Sequence, residues 1–115
     1  MPSFADTARS AAAREEVWKL VSDQSRIPEW WDESASEFPL PQLVEPARDG
    51  ERVVISCLVS DQRFEVRLED EEGGTTRIDV LVDLPDSEAL QLSQQRDTVR
   101  RSLLRLAEVA AVARL

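Results

Sequence analysis

The chain has 115 residues, with 14 Lys and Arg against 23 Asp and Glu and a formal net charge of −9 at pH 7. That length is expected to form one domain over residues 1–115, because two separate cores would each be too small to hold without staples. The acidic balance argues against nucleic acid, whose recognition needs clustered cations to release counterions, and it disfavours anionic membrane surfaces.

Residue types exclude further classes. With no histidine and no tyrosine, the chain lacks the imidazole of the usual triads and zinc sites and the phenol that polarises a carbonyl. No metal, cofactor or catalytic residue is therefore assigned. Cys57 is the sole cysteine, so it has no partner for an internal disulfide. Met1 to Asp6 carry no apolar leader, and no run reaches the length of a membrane span. The expected location is cytoplasmic.

In chain order, Phe4 to Ser10 alternate and predict an edge strand. Ala13 to Val21 predict a helix, with Glu15 and Glu16 complementing the dipole in its first turn and Ala13, Val17, Leu20 and Val21 on one face. Pro28 is expected at or near the start of a second short helix carrying Trp30 and Trp31, since proline suits a first turn. The prolines 39, 41 and 46 make Phe38 to Pro46 irregular or edge-strand chain.

Asp49-Gly50 is a turn opening the strand Arg52 to Ser60, and Ser60-Asp61-Gln62 is the next turn. The strand Arg63 to Glu69 alternates, with Phe64, Val66 and Leu68 inward and Arg63, Glu65, Arg67 and Glu69 outward. After a turn at Gly73-Gly74, the strand Thr76 to Leu84 places Ile78, Val80, Val82 and Leu84 on one face. Pro85 stops it. From about Ser87 to Ala113 the period is helical, with Leu92, Val99, Leu103, Leu106, Ala110 and Ala113 on one face and Arg101 and Arg105 opposite. Strands joined by tight turns form an antiparallel sheet whose apolar face needs a cover, and the last helix supplies it. The fold class is α+β.

The order Val17-Trp18, Asp23 and Trp30-Trp31 resembles the N-terminal signature of the START-like (Bet v 1-like) superfamily, which includes polyketide cyclase-like and Hsp90-ATPase-activator-like proteins. Ala12-Ala13 stands where Ala-Pro is common. Gly73-Gly74-Thr75-Thr76-Arg77-Ile78 and Leu103-x-x-Leu106 resemble the Hsp90-activator-like branch, although Val99 replaces a common aromatic. The resemblance implies a helix-grip fold, a curved sheet wrapped around the long C-terminal helix. The pattern gives about four meander strands after the tryptophans, fewer than the full family carries, so a strand pair is lost or shortened.

The resemblance also implies an apolar pocket between sheet and helix. The faces expected to converge place Trp31, Ile55, Cys57, Phe64, Val80, Val99 and Leu103 around it. Trp30 is read as anchoring the short helix on the sheet, whereas for Trp31 a pocket-entrance wall and a half-exposed side chain are equally open. Cys57 has no general base in view and reads as a small buried hydrophobe. Glu65, Glu69, Asp70, Glu71 and Glu72 lack the spacing of a calcium loop and read as a solvated hairpin tip. Arg96 and Arg100 flank the last helix's apolar face, where the choice lies between a ligand carboxylate and solvent.

Three functions are in play: a non-catalytic module binding a small apolar ligand, a polyketide cyclase- or dehydratase-like enzyme, and an Hsp90-activator-like interaction module. Val54, Leu58 and Leu81 fall on the sheet's outer face. They are either a homodimer patch or ordinary exposed residues.

Overall fold

Residues 3–31, 42–48, 50–57, 63–83 and 92–112 are described by the computed structural model. Strand β1 (Ser3–Ser10) leads into helix α1 (Arg14–Val21). A 3-10 segment (Gln24–Glu29) follows, then β2 (Gln42–Arg48), β3 (Arg52–Cys57), β4 (Arg63–Asp70), β5 (Thr76–Asp83) and helix α2 (Leu92–Val112). The strands form one antiparallel sheet in the order β1-β5-β4-β3-β2. Four of the described strands follow the tryptophans, as the alternation predicts.

Two turns have a backbone only glycine adopts cheaply. The β4–β5 connection carries Gly73 at φ +80° and Gly74 at φ +78°, and the Glu71 N–H closes it onto the Thr75 carbonyl at 2.9 Å. Gly50, at φ +76°, does the same between β2 and β3, where the Glu51 N–H reaches the Arg48 carbonyl at 3.0 Å. A side chain in this left-handed region costs about 1–2 kcal/mol per residue. Pro46 sits in the edge strand β2, beside a register shift between Pro46 and Arg48, where a missing N–H leaves no interior ladder bond unmade.

The alternation delivers the core. Phe4 and Ala8 of β1, Val53 and Ile55 of β3, Phe64, Val66 and Leu68 of β4, and Ile78, Val80 and Val82 of β5 are all buried on one face. Val99, Leu103, Leu106 and Ala110 of α2 close over them, and α1 adds Val17, Leu20 and Val21. Burying each such aliphatic side chain stabilises the fold by about 1.5–3 kcal/mol. Helix α2 packs on β1 and on α1, so the sheet's inner face has its cover.

Three expectations change in detail. Ala13 is exposed rather than on the apolar face of α1. It is the N-cap, with extended backbone at φ −67° and ψ 153°, and Ala12 before it takes the buried position. The 3-10 segment starts earlier than expected because Asp23 caps it, accepting from the Ser25 N–H at 3.0 Å. Pro28 opens only its second turn, closed by the Trp30 N–H on the Ile27 carbonyl at 3.1 Å, and the tryptophans follow the segment rather than ride on it. Leu84, residues 58–62, the first residues of the expected last helix (87–91) and Ala113 lie outside the described residues.

A buried polar cluster fastens one end of the sandwich. The Ser10 hydroxyl donates to the Ala107 carbonyl at 2.8 Å and accepts from the Ala12 N–H at 3.1 Å. The Thr76 hydroxyl donates to the Ala12 carbonyl at 2.8 Å. Three elements and the link into α1 thus meet with these buried polar groups satisfied, as a low-dielectric interior demands. Among the described residues, no helix is long and apolar enough to cross a membrane.

Candidate functional site

The tryptophan segment is built from its capping end. The Asp23 carboxylate accepts from both the N–H and the hydroxyl of Ser25, which holds it below the usual carboxylate range. Arg26 and Glu29 pair one turn apart at 2.9 Å, raising the guanidinium's affinity for its proton and lowering that of the carboxyl. Beyond them Trp30 turns inward, and its indole N–H donates to the Leu20 carbonyl at 2.9 Å. That carbonyl belongs to the last turn of α1, where helical partners run out. Trp30 therefore anchors the segment to α1.

Trp31 meets Trp30 edge-on at 6.0 Å between ring centroids and Phe64 edge-on at 5.4 Å, the T-shaped contact that aromatic quadrupoles favour. Beneath these rings lies a cavity of about 20 Å³, lined by Ile27, Trp30, Trp31, Ile55, Phe64, Val66, Val80, Val99, Ser102 and Leu103. Of the residues expected there, Trp31, Ile55, Phe64, Val80, Val99 and Leu103 come together around it. The backbone of Cys57 ends β3, and its side chain falls outside the described part.

Sequence reasoning missed Ile27, Trp30, Val66 and Ser102. Ser102 was legible, because it completes the helical spacing Val99, Ser102, Leu103, Leu106. Val66 follows Phe64 on the same strand face, and Ile27 depends on the 3-10 turn.

The chemistry of this interior is limited. Among the described residues no titratable side chain lines it, and Ser102 contributes a hydroxyl to its wall. About 20 Å³ is room for no more than one water, and the mostly apolar wall offers few of the two to four polar partners that a buried water needs. Drug-sized ligands occupy roughly 300–1,000 Å³; a ligand enters here only if a wall moves.

Neither flanking arginine lines the cavity. Arg96 lies over the Phe4 ring, 5.8 Å from its centroid. Arg100 donates to the Asp6 carboxylate at 3.0 Å and to the Thr7 carbonyl at 2.8 Å, strapping α2 to the edge strand β1.

The outer face of the sheet is a lattice of ion pairs. A wider groove of about 480 Å³ is lined by Arg14, Arg48, Glu51, Arg52, Arg67, Leu68, Glu69, Arg77 and Asp79. Its cations already have carboxylate neighbours: Arg48 with Glu51 at 2.7 Å, Arg77 with Asp79 at 3.0 Å and with Glu69, and Arg14 with Glu51 at 3.5 Å. The Asp79 carboxylate foremost makes Arg77 hold its proton more firmly than usual. Glu65, expected outward and solvated, is on the outward face but only 8% exposed, because Arg52 and Arg67 lie across it. It belongs to this lattice rather than to the hairpin tip.

In register, Val54 stands opposite Glu65, and Glu65 opposite Leu81. Val54 is half-buried and Leu81 is 42% exposed, with a carboxylate between them; Leu58 lies outside the described residues. At the hairpin tip Asp70 and Glu72 are exposed, and Glu71 pairs with Arg9 at 2.8 Å.

No known protein family and no curated protein matches the sequence. Solved structures do match the fold. NE0264 from Nitrosomonas europaea, 12% identical, gives a TM-score of 0.76 over 97% of this chain and 96% of its own. XoxI from Bacillus cereus, 14% identical, gives 0.72 over 95% of each chain. DynU16, a protein in the dynemicin biosynthetic locus, is 18% identical and gives 0.67 over 92% of this chain and 46% of its own. At these identities the likeness is one of fold: a small α+β domain whose antiparallel sheet carries a long C-terminal helix.

Proposed function

We propose that this chain is a START-like helix-grip domain that binds a small apolar molecule between the sheet and α2, without catalysing a reaction. The observation that carries it is the apolar seam under Trp31, where aromatic and aliphatic side chains from α2, three strands and the tryptophan segment surround residual space that they do not fill. Pockets for small molecules have this composition, mostly apolar with few polar groups. The described part of the wall offers no acid or base, which favours binding over a cyclase- or dehydratase-like activity, because proton transfer needs a titratable group within hydrogen-bond reach.

Native mass spectrometry of freshly purified protein tests the proposal. A small molecule retained on the native protein and released on denaturation is the expected result. An empty protein that instead travels with a stable protein partner would overturn it in favour of the interaction module.

A further inference from the structure

We infer that Trp31 is the pocket's own stopper: its indole occupies the volume a ligand takes, and the ligand it yields to is a planar aromatic molecule bearing one hydroxyl. This rests on the ligand-binding proposal above and specifies its ligand class.

Position comes first. Trp31 is the most exposed of the described wall residues at 9%, whereas Val99, Ser102 and Leu103 of α2 are at 1–2%. It therefore stands at the outer end of the seam with the deep floor behind it. Its backbone N–H is held by the Ile27 carbonyl at 2.9 Å, so its main chain stays in place and displacement is a rotation of the side chain.

Shape comes next. Phe64 and Trp30 meet Trp31 edge-on, and another planar ring in the same slot makes the same contacts. The residual space of about 20 Å³ is too small for any organic ligand. Swinging out an indole opens space on the order of 150 Å³, which between apolar walls stays dry and accepts a benzene-sized ring. A slot vacated by indole selects flat rings over branched or extended aliphatic chains. Ser102 sets the polarity: its hydroxyl carries one donor and two acceptor lone pairs, so beside a bond already made it still accepts from one ligand hydroxyl.

The energetic consequence is measurable. When the binding-competent state is a minor one, populated at roughly 0.1–10%, the apparent affinity falls by that fraction. Removing the stopper should restore about 10–1,000-fold.

The probe is 2-naphthol, titrated by NMR into the full chain and into Trp31→Ala. Fluorotryptophan labelling of the wild type follows the Trp31 ring directly. Support is binding at least about tenfold tighter in Trp31→Ala, together with a wild-type Trp31 fluorine signal that moves to a solvent-exposed position at saturation. Equal affinities, or a Trp31 signal unmoved in the bound wild type, overturn the stopper and leave the pocket standing. Absence of binding to both proteins overturns the stopper and the ligand-binding proposal together. Should Trp31→Ala fail to fold, Trp31→Phe, which partly frees the slot, and the wild-type fluorine signal decide alone: tighter binding with a moving signal supports, anything else overturns.

Discussion

Trp30 and Trp31 are neighbours in the chain with opposite duties. Trp30 supplies the hydrogen bond that the last turn of α1 lacks, and Trp31 meets Trp30 and Phe64 edge-on at the seam's outer end. Trp30→Phe keeps most of the apolar surface and deletes the indole N–H, so the Leu20 carbonyl loses its partner in a buried site. The expected loss is about 1–3 kcal/mol, read from the urea midpoint; an unshifted midpoint would show the bond to be incidental. The anchoring role was legible in the doublet, but its target was not. The acceptor lies ten residues back on α1, and only the three-dimensional turn brings it near. Glu65 gives the same lesson. Alternation gives its face correctly, and its burial comes from Arg67, two residues along the same strand, and from Arg52, which only the strand register brings beside it from β3.

At the scale of elements, the period of the apolar residues made the strands and both helices legible, because one-sided burial leaves a repeat of two or 3.6 residues in the sequence. It did not place the start of the 3-10 segment. There a capping carboxylate at Asp23 competes with the preference of Pro28 for a first turn, and the cap acts first. The stripe on α2 makes the sharpest test. Leu103, 2% exposed, faces the sheet, and Leu103→Ala should cost about 2–5 kcal/mol as a buried truncation. Its neighbour Leu104, 46% exposed, faces away, and Leu104→Ala should stay within about 0.5 kcal/mol. Comparable losses for the two would mean that α2 is rotated from the orientation described here.

Across the whole molecule, the polar cluster of Ser10, Ala12, Thr76 and Ala107 closes the end of the sandwich away from Trp31 with hydrogen bonds rather than with apolar bulk. Ser10→Ala strands the buried Ala12 N–H and should lower stability by about 1–3 kcal/mol in equilibrium denaturation, with an unchanged denaturant slope. The same strand sets an order of events in time. β2 with β3 and β4 with β5 are hairpins of near neighbours, whereas Thr7 waits for Asp79 across 72 positions and Ser10 for Ala107 across 97. Closing such spans costs chain entropy before any contact repays it, so the hairpins nucleate and β1 is zipped on late, when α2 arrives. Val66→Ala, in the central strand β4, should then mainly slow refolding in stopped-flow experiments. Phe4→Ala, in β1, should leave the refolding rate nearly untouched and hasten unfolding instead. The reverse partition would place the first strand in the nucleus.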